Sequence, residues 1–198
     1  GQQLALAFLR QLLQRGGRRA HDVVRAMRSY VSSGTTAQTT VALVPLLSDL
    51  YQLFAERVLP QVMLHDRGTT QTFDLRRAQI QLSDLTVQAV RSDLSLLLSR
   101  WLLRTVARLL PEQRTHVDLV LPREPGESPN ILVRLADSGA PLDAVSLSLF
   151  EGQAGSLGLS QQVAAGRRSP QTDATDLTTE LRLTLPLVCA PVGETAAG

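Results

Sequence analysis

The run Leu94-Ser-Leu-Leu-Leu-Ser-Arg-Trp-Leu-Leu103 is apolar nearly all round a helix, and a helix of that kind has no solvent face to offer. It must be buried, and the partner it asks for is a sheet. A sheet is at hand. Over 178–188 the residues Leu181, Leu183, Leu185 and Leu187 alternate with polar neighbours, the period-two signature of a half-buried strand. Residues 117–121 and 130–136 are two further β-type runs. The segment between them, Pro122-Arg-Glu-Pro-Gly-Glu-Ser-Pro129, carries prolines and a glycine that favour a hairpin-like connection. The C-terminal part of the chain thus reads as a mixed α/β domain.

The N-terminal part follows a different period. Leu4, Ala5, Phe8, Leu9, Leu12 and Leu13 recur at three- and four-residue spacing over 2–14, which predicts a helix. Gly16 and Gly17 interrupt it, and Ala20, Val23, Val24, Met27 and Tyr30 resume the stripe up to a loop at 32–36. A second long helix is expected over 41–58 from Val41, Val44, Leu47, Leu50, Tyr51, Phe54 and Val58, with Pro45 in its first turns, where a proline is tolerated. Such a helical hairpin leaves a broad apolar face, and pairing with a second copy into a four-helix bundle would bury it. A homodimer is therefore expected. The polar stretch 64–72, with Asp66-Arg67-Gly68-Thr69-Thr70, reads as a linker, so the expected domains are 1–66 and 67–198. Beyond it, 82–110 is helical in pattern up to Pro111. The region 138–176 is rich in Gly, Ser, Gln and Ala, with a short helix expected at 159–165.

Composition narrows the function. At 198 residues with 43% hydrophobic and 19% charged side chains, the chain has globular composition and length for a helical segment plus one compact domain. A formal charge of +2 gives no surplus to drive binding to nucleic acid or to anionic lipid. All twenty basic residues are Arg, so no Lys is present to act as nucleophile or phosphate ligand. The single Cys189 excludes an internal disulfide and a Cys-rich zinc site, which fits a reducing compartment. No apolar run is long enough to span a bilayer and no signal-peptide pattern stands at the start, so a cytoplasmic location without membrane contact is expected. The first residue is Gly rather than Met, and the chain is expected to be a fragment with room for a sensor domain upstream. Gly-x-Ser-x-Gly, P-loop and His-Glu-x-x-His motifs are absent, leaving hydrolase and metalloprotease readings unsupported. His65 and His116 have no second His, Cys or paired carboxylate at ligand spacing and read as structural or solvated.

The order of elements, together with several local motifs, resembles the core of bacterial two-component sensor histidine kinases. Ala20-His21-Asp22-Val23-Val24-Arg25-Ala26 is similar to the family's phosphoacceptor box, with Ala26 where the family has proline. The resemblance implies His21 as nucleophile and Asp22 as the carboxylate that orients it or takes its proton. Leu102-Leu-Arg-Thr105-Val-Ala-Arg108-Leu lines up with the box whose Asn holds magnesium. Thr105 stands at that Asn, Arg108 at a Lys, and Trp101 at a second frequent Asn. A Thr hydroxyl is a poorer magnesium ligand than an amide carbonyl. Ile131-Leu-Val-Arg-Leu-Ala-Asp137-Ser-Gly139-Ala-Pro-Leu-Asp143 resembles the strand and Asp-x-Gly loop in which Asp accepts from the adenine amino group and Gly lets the backbone approach the ring. Leu149-Phe150-Glu151 resembles the aromatic box of the ATP lid. Gly155-Ser-Leu-Gly158-Leu159-Ser160 resembles the second glycine box, one glycine short, at the start of a phosphate-facing helix.

The resemblance implies an α+β chain: an N-terminal antiparallel helical hairpin, then a two-layer α/β sandwich of the histidine-kinase ATPase type. The implied cofactors are ATP and magnesium, with Thr105 at the metal and Arg108, Asp137, Gly139, Gly155, Gly158 and Leu159 at the nucleotide. The implied partner is a response-regulator receiver domain. Three functions are compatible with it. One is an active kinase phosphorylating His21. Another is a histidine phosphotransferase, relaying phosphate between receivers through His21. The third is a non-catalytic pseudokinase scaffold.

Overall fold

The structure is a computed structural model. It describes residues 37–110, 112–122, 129–140, 142, 145, 148, 160–165 and 179–190, with 160–165 described in backbone only. All of them lie in the compact unit that begins at Ala37. The expected helices at 2–14 and 20–30, with His21 and Asp22, lie outside the described residues, as do Gly155, Gly158 and Leu159.

In chain order the elements are β1 (Thr39–Ala42), α1 (Leu43–Phe54), a 3-10 turn (Glu56–Val58), β2 (Gln61–Asp66), β3 (Thr69–Asp74), α2 (Leu75–Gln81), β4 (Thr86–Ala89), α3 (Arg91–Arg108), β5 (Thr115–Val120), β6 (Asn130–Asp137), β7 (Ser160–Ala165) and β8 (Thr179–Cys189). The strands form one sheet in the order β1-β4-β8-β6-β5-β2-β3, with β7 also paired to β8. Among the described residues only β2 and β5 pair in parallel. β8 is the organising strand. One side of it pairs with β6 over eight positions from Asn130↔Pro186 to Asp137↔Thr179, and it also takes β7 at Thr179–Thr184 and β4 near Leu187.

Alternation sorts the sheet into two faces. Val117, Leu119, Ile131, Val133, Leu135, Leu181, Leu183 and Leu185 are all buried on one of them. The helices carry the matching apolar stripes: Leu43, Val44, Leu46, Leu47, Leu50 and Tyr51 on α1, and Leu94, Leu97, Leu98, Trp101 and Leu102 on α3. At roughly 1.5–3 kcal/mol for each large apolar side chain taken from water, this interface dominates the stability of the domain. Leu94 to Leu103 is thus a buried helix, and the three expected strands β5, β6 and β8 are present. The β5–β6 pair is antiparallel, as its Pro- and Gly-bearing connection predicts.

Four expectations are corrected. The second helix of the N-terminal hairpin, expected over 41–58, is α1 of the α/β domain, and Val41 belongs to a strand. Pro45 does lie in its first turn. Its stripe from Leu43 to Tyr51 is buried inside the domain, so this helix does not offer that stripe to a four-helix bundle. The expected boundary at 66/67 falls inside a β-hairpin. β2 and β3 pair from Gln61↔Asp74 to Asp66↔Thr69 around the two-residue turn Arg67-Gly68, whose φ angles of 46° and 85° are those of a type I′ turn, favoured because its twist matches the strands. Polarity marked a turn, and a turn is compatible with a hairpin as well as with a linker.

The helical pattern expected from 82 starts at Arg91. Thr86-Val-Gln-Ala forms β4, pairing with β1 and β8 and burying Val87 and Ala89, because a β-branched pair beside two open strand edges gains more from the ladder than from one extra helical turn. The short helix expected at 159–165 is β7. Six residues are too few to hold an isolated helix, and β8 offers a backbone ladder over the same length. No helix among the described residues is long and apolar enough to cross a membrane.

The hairpin turn gives a first test. A Cβ on Gly68 meets nothing within 4 Å, so Gly68→Ala carries only the backbone cost of a positive φ, about 1–2 kcal/mol. A urea titration should show the unfolding free energy falling by that amount, as a lower midpoint with an unchanged slope.

Candidate functional site

Asp137 ends β6, level with Thr115 of β5 on one side and Thr179 of β8 on the other. A chain leaving a strand there must turn, and Asp137-Ser138-Gly139 does so with the Asp side chain capping the turn: the Gly139 N–H donates to Asp137 Oδ1 at 3.0 Å. α3 ends against the same corner. Its last turn presents Thr105 and Arg108, three residues apart and so on one face. The Thr105 hydroxyl donates to Asp137 Oδ2 at 3.2 Å, and Arg108 Nη2 donates to the same oxygen at 2.6 Å.

Arg108 goes further than this one pair. Its Nη1 donates to the Ala140 carbonyl at 2.5 Å and to Thr179 Oγ1 at 3.0 Å, and its Nε to the Arg104 carbonyl at 3.2 Å. Every nitrogen of the guanidinium is engaged. One side chain therefore joins the end of α3, the loop after β6 and the start of β8. Gly139 is needed for a related reason: a Cβ there would stand 3.0 Å from Asp137 Oδ1 and 3.3 Å from both Cβ and the carbonyl oxygen of Arg108. The glycine lets the loop lie against its own helix.

The Asp137 carboxylate is 1% exposed. Burial pushes its pKa above the ordinary carboxylate value, against the opposing pull of the Arg108 charge and of the hydrogen bonds from Arg108, Gly139 and Thr105. Tyr51 of α1 feels the same corner: burial, then the charge of Asp137, push its phenol far up, so it stays neutral. Tyr51 is a core side chain here, although its spacing placed it on a bundle stripe.

Of the residues implied at the nucleotide, the structure brings together Thr105, Arg108, Asp137 and Gly139. Their mutual bonds place the Arg108 guanidinium, a fixed positive charge, against the oxygen that also accepts from Thr105, the residue the resemblance offers to magnesium. The Thr105 oxygen is buried and spends its proton on Asp137, Arg108 stands against the carboxylate, and Trp101 is fully buried as a core side chain. Among the described residues no group of three His, Cys, Asp or Glu side chains is placed to hold a metal ion. Sequence reading paired Asp137 with an external donor. The internal donor was not visible because Arg108 and Asp137 are 29 residues apart, and nothing local says that a surface-type Arg at a helix end turns inward.

The opposite face of the sheet carries a charged ladder that sequence reading missed. Asp118 on β5 lies opposite Arg134 on β6, and Arg134 lies opposite Arg182 on β8. Arg134 Nε donates to Glu180 Oε1 at 2.6 Å, with its Nη2 3.6 Å from Asp118, while Arg182 donates to both oxygens of Glu180. His65 adds Nε2 at 3.6 Å from Asp118, with Nδ1 bonded to Thr70 Oγ1, so its structural reading holds. Burial holds the half-buried His116 below the ordinary histidine value, partly offset by Asp118.

Burial alone would raise Glu180, but the hydrogen bonds and charges of Arg182 and Arg134 outweigh it and hold its pKa below the ordinary value. A carboxylate whose folded pKa is depressed adds stability above its unfolded pKa and loses it as pH falls through the folded one. Glu180→Gln should accordingly cost roughly 1–3 kcal/mol at pH 7. In denaturant titrations the gap to wild type should close as pH drops below about 4; a gap that persists at pH 3 would exclude the ionic cause.

No family model matches the sequence, and no curated protein does. Solved structures do match in fold. The catalytic domain of histidine kinase ThkA in a nucleotide-free form superposes with a TM-score of 0.51 at 14% identity, covering 76% of this chain and 97% of that one. The mycobacterial sensor histidine kinase MprB gives 0.50 at 12% identity, covering 79% of this chain and all of its own. Likeness at such identity is likeness of fold, and the unit that begins at Ala37 has the fold of the histidine-kinase catalytic domain.

Proposed function

We propose that this chain is a two-component signalling protein of the histidine-kinase type whose α/β domain has lost ATP and magnesium chemistry. The observation that carries the proposal is the closed network at Asp137: the carboxylate that the resemblance assigns to an adenine amino group is already bonded to Arg108, Thr105 and Gly139. An adenine amino group, a neutral donor, would have to share a buried carboxylate that already holds a charge-assisted bond, about twice as strong as a neutral one. Trp101 and Thr105, at positions where the resemblance expects asparagines, support the same reading.

In this reading the domain serves as a rigid α/β module and a receiver domain is its partner. Any phosphoryl group would travel through His21, in a homodimer such as the resemblance implies. Titration with a fluorescent ATP analogue in the presence of magnesium is expected to give no saturable signal, and labelled ATP to leave no label on the protein. Saturable binding with label on His21 would overturn the proposal. A phosphorylated receiver that loses phosphate to wild type but not to His21→Ala would mark the phosphotransferase form of this function; equal behaviour of the two would mark the scaffold form.

A further inference from the structure

We infer that Arg108 is an internal ligand of the domain, a guanidinium plug seated in a carboxylate-bearing slot, and that the slot is by construction a site for a small planar cation. The inference rests on the reading above that this position does not take a nucleotide. The slot walls are the Asp137 carboxylate, the Thr179 hydroxyl and the carbonyls of Ala140 and Arg104. All four are acceptors toward Arg108, and they come from three places in the chain: the last turns of α3, the end of β6 with its loop, and the start of β8. A converging set of acceptors around one buried negative charge suits a flat cation with several N–H donors, and it suits a neutral base poorly.

The geometry separates this from an incidental surface ion pair. The Arg108 side chain is 12% exposed and Asp137 is 1% exposed, so the pair is shielded from solvent rather than screened by it. Four bonds from three nitrogens fix the guanidinium in one orientation, so Arg108 is not free to swing toward a phosphate. Held covalently at the site, it outcompetes any dissolved donor through its effective concentration.

Removing the guanidinium should leave a hole that a free one refills. Thermal unfolding of Arg108→Ala is measured with ethylguanidinium at tens of millimolar, with ethylammonium at equal concentration as control and wild type alongside. The expected result is a saturable rise in Tm of several degrees for the variant with ethylguanidinium alone, and no rise for wild type. An equal response to ethylammonium, or none beyond that of wild type, would overturn the inference. If Arg108→Ala does not fold, nitrogen-15 NMR of wild type decides. The Arg108 guanidinium protons, assigned by their loss in Arg108→Lys, should be resolved and slow to exchange, and averaged, fast-exchanging protons would overturn the plug. The parent reading fails separately, by nucleotide binding to wild type.

Discussion

Arg108→Ala is expected to destabilise the domain by roughly 3–5 kcal/mol, the cost of leaving a buried charge without its partner. For a unit of this size that is a fall in Tm of roughly 6–20 °C. Two effects add. Asp137 keeps its burial and loses its strongest donor, and the Ala140 carbonyl and the Thr179 hydroxyl lose theirs. Asp137→Asn keeps an acceptor for Gly139 and should cost less, about 1–3 kcal/mol. The two changes share one interaction, so the double variant should be less damaged than the sum of the singles. Denaturant titrations of all four proteins give the coupling directly; additive costs would show that Arg108 and Asp137 do not act as a pair.

The second large effect is at Trp101. The resemblance puts an asparagine at this position, so Trp101→Asn is the change that would restore the family pattern. It should instead unfold the domain or leave it without fixed packing. Trp101 is 1% exposed between residues of the buried α3 stripe. Emptying such a site costs about 3–5 kcal/mol, and the new amide would add roughly 1–3 kcal/mol if it found no partner. Loss of near-UV circular dichroism with a broadened urea transition is the expected reading. A cooperative fold within about 1 kcal/mol of wild type would mean that the position is not core.

How much of the site was legible depends on how local each signal is. Asp137 and Gly139 were readable, because a strand running into Asp-Ser-Gly is turn chemistry written in adjacent residues. Thr105 and Arg108 were readable as positions on one helix face. That the four residues close on one another was not, since nothing in a helix end states which strand end it will meet. The glycine box was read as opening a helix, and the strand that starts at Ser160 depends on an edge of β8, whose paired residue Thr184 lies far along the chain.

The fold divides in the same way. Sequence periodicity by itself determined the buried helix at Leu94–Leu103, the strands β5, β6 and β8, and hence a sheet with one covered face, because burial repeats at 3.6 or 2 residues wherever one side of an element meets the core. Tertiary structure alone decided that α1 belongs to this domain rather than to a dimer bundle, that Arg67-Gly68 is a hairpin rather than a linker, and that Arg108 turns inward to Asp137. An amphipathic stripe says that something must cover it and not what. A charge says that it needs a partner, and the partner is chosen by which ends the packed layers bring together.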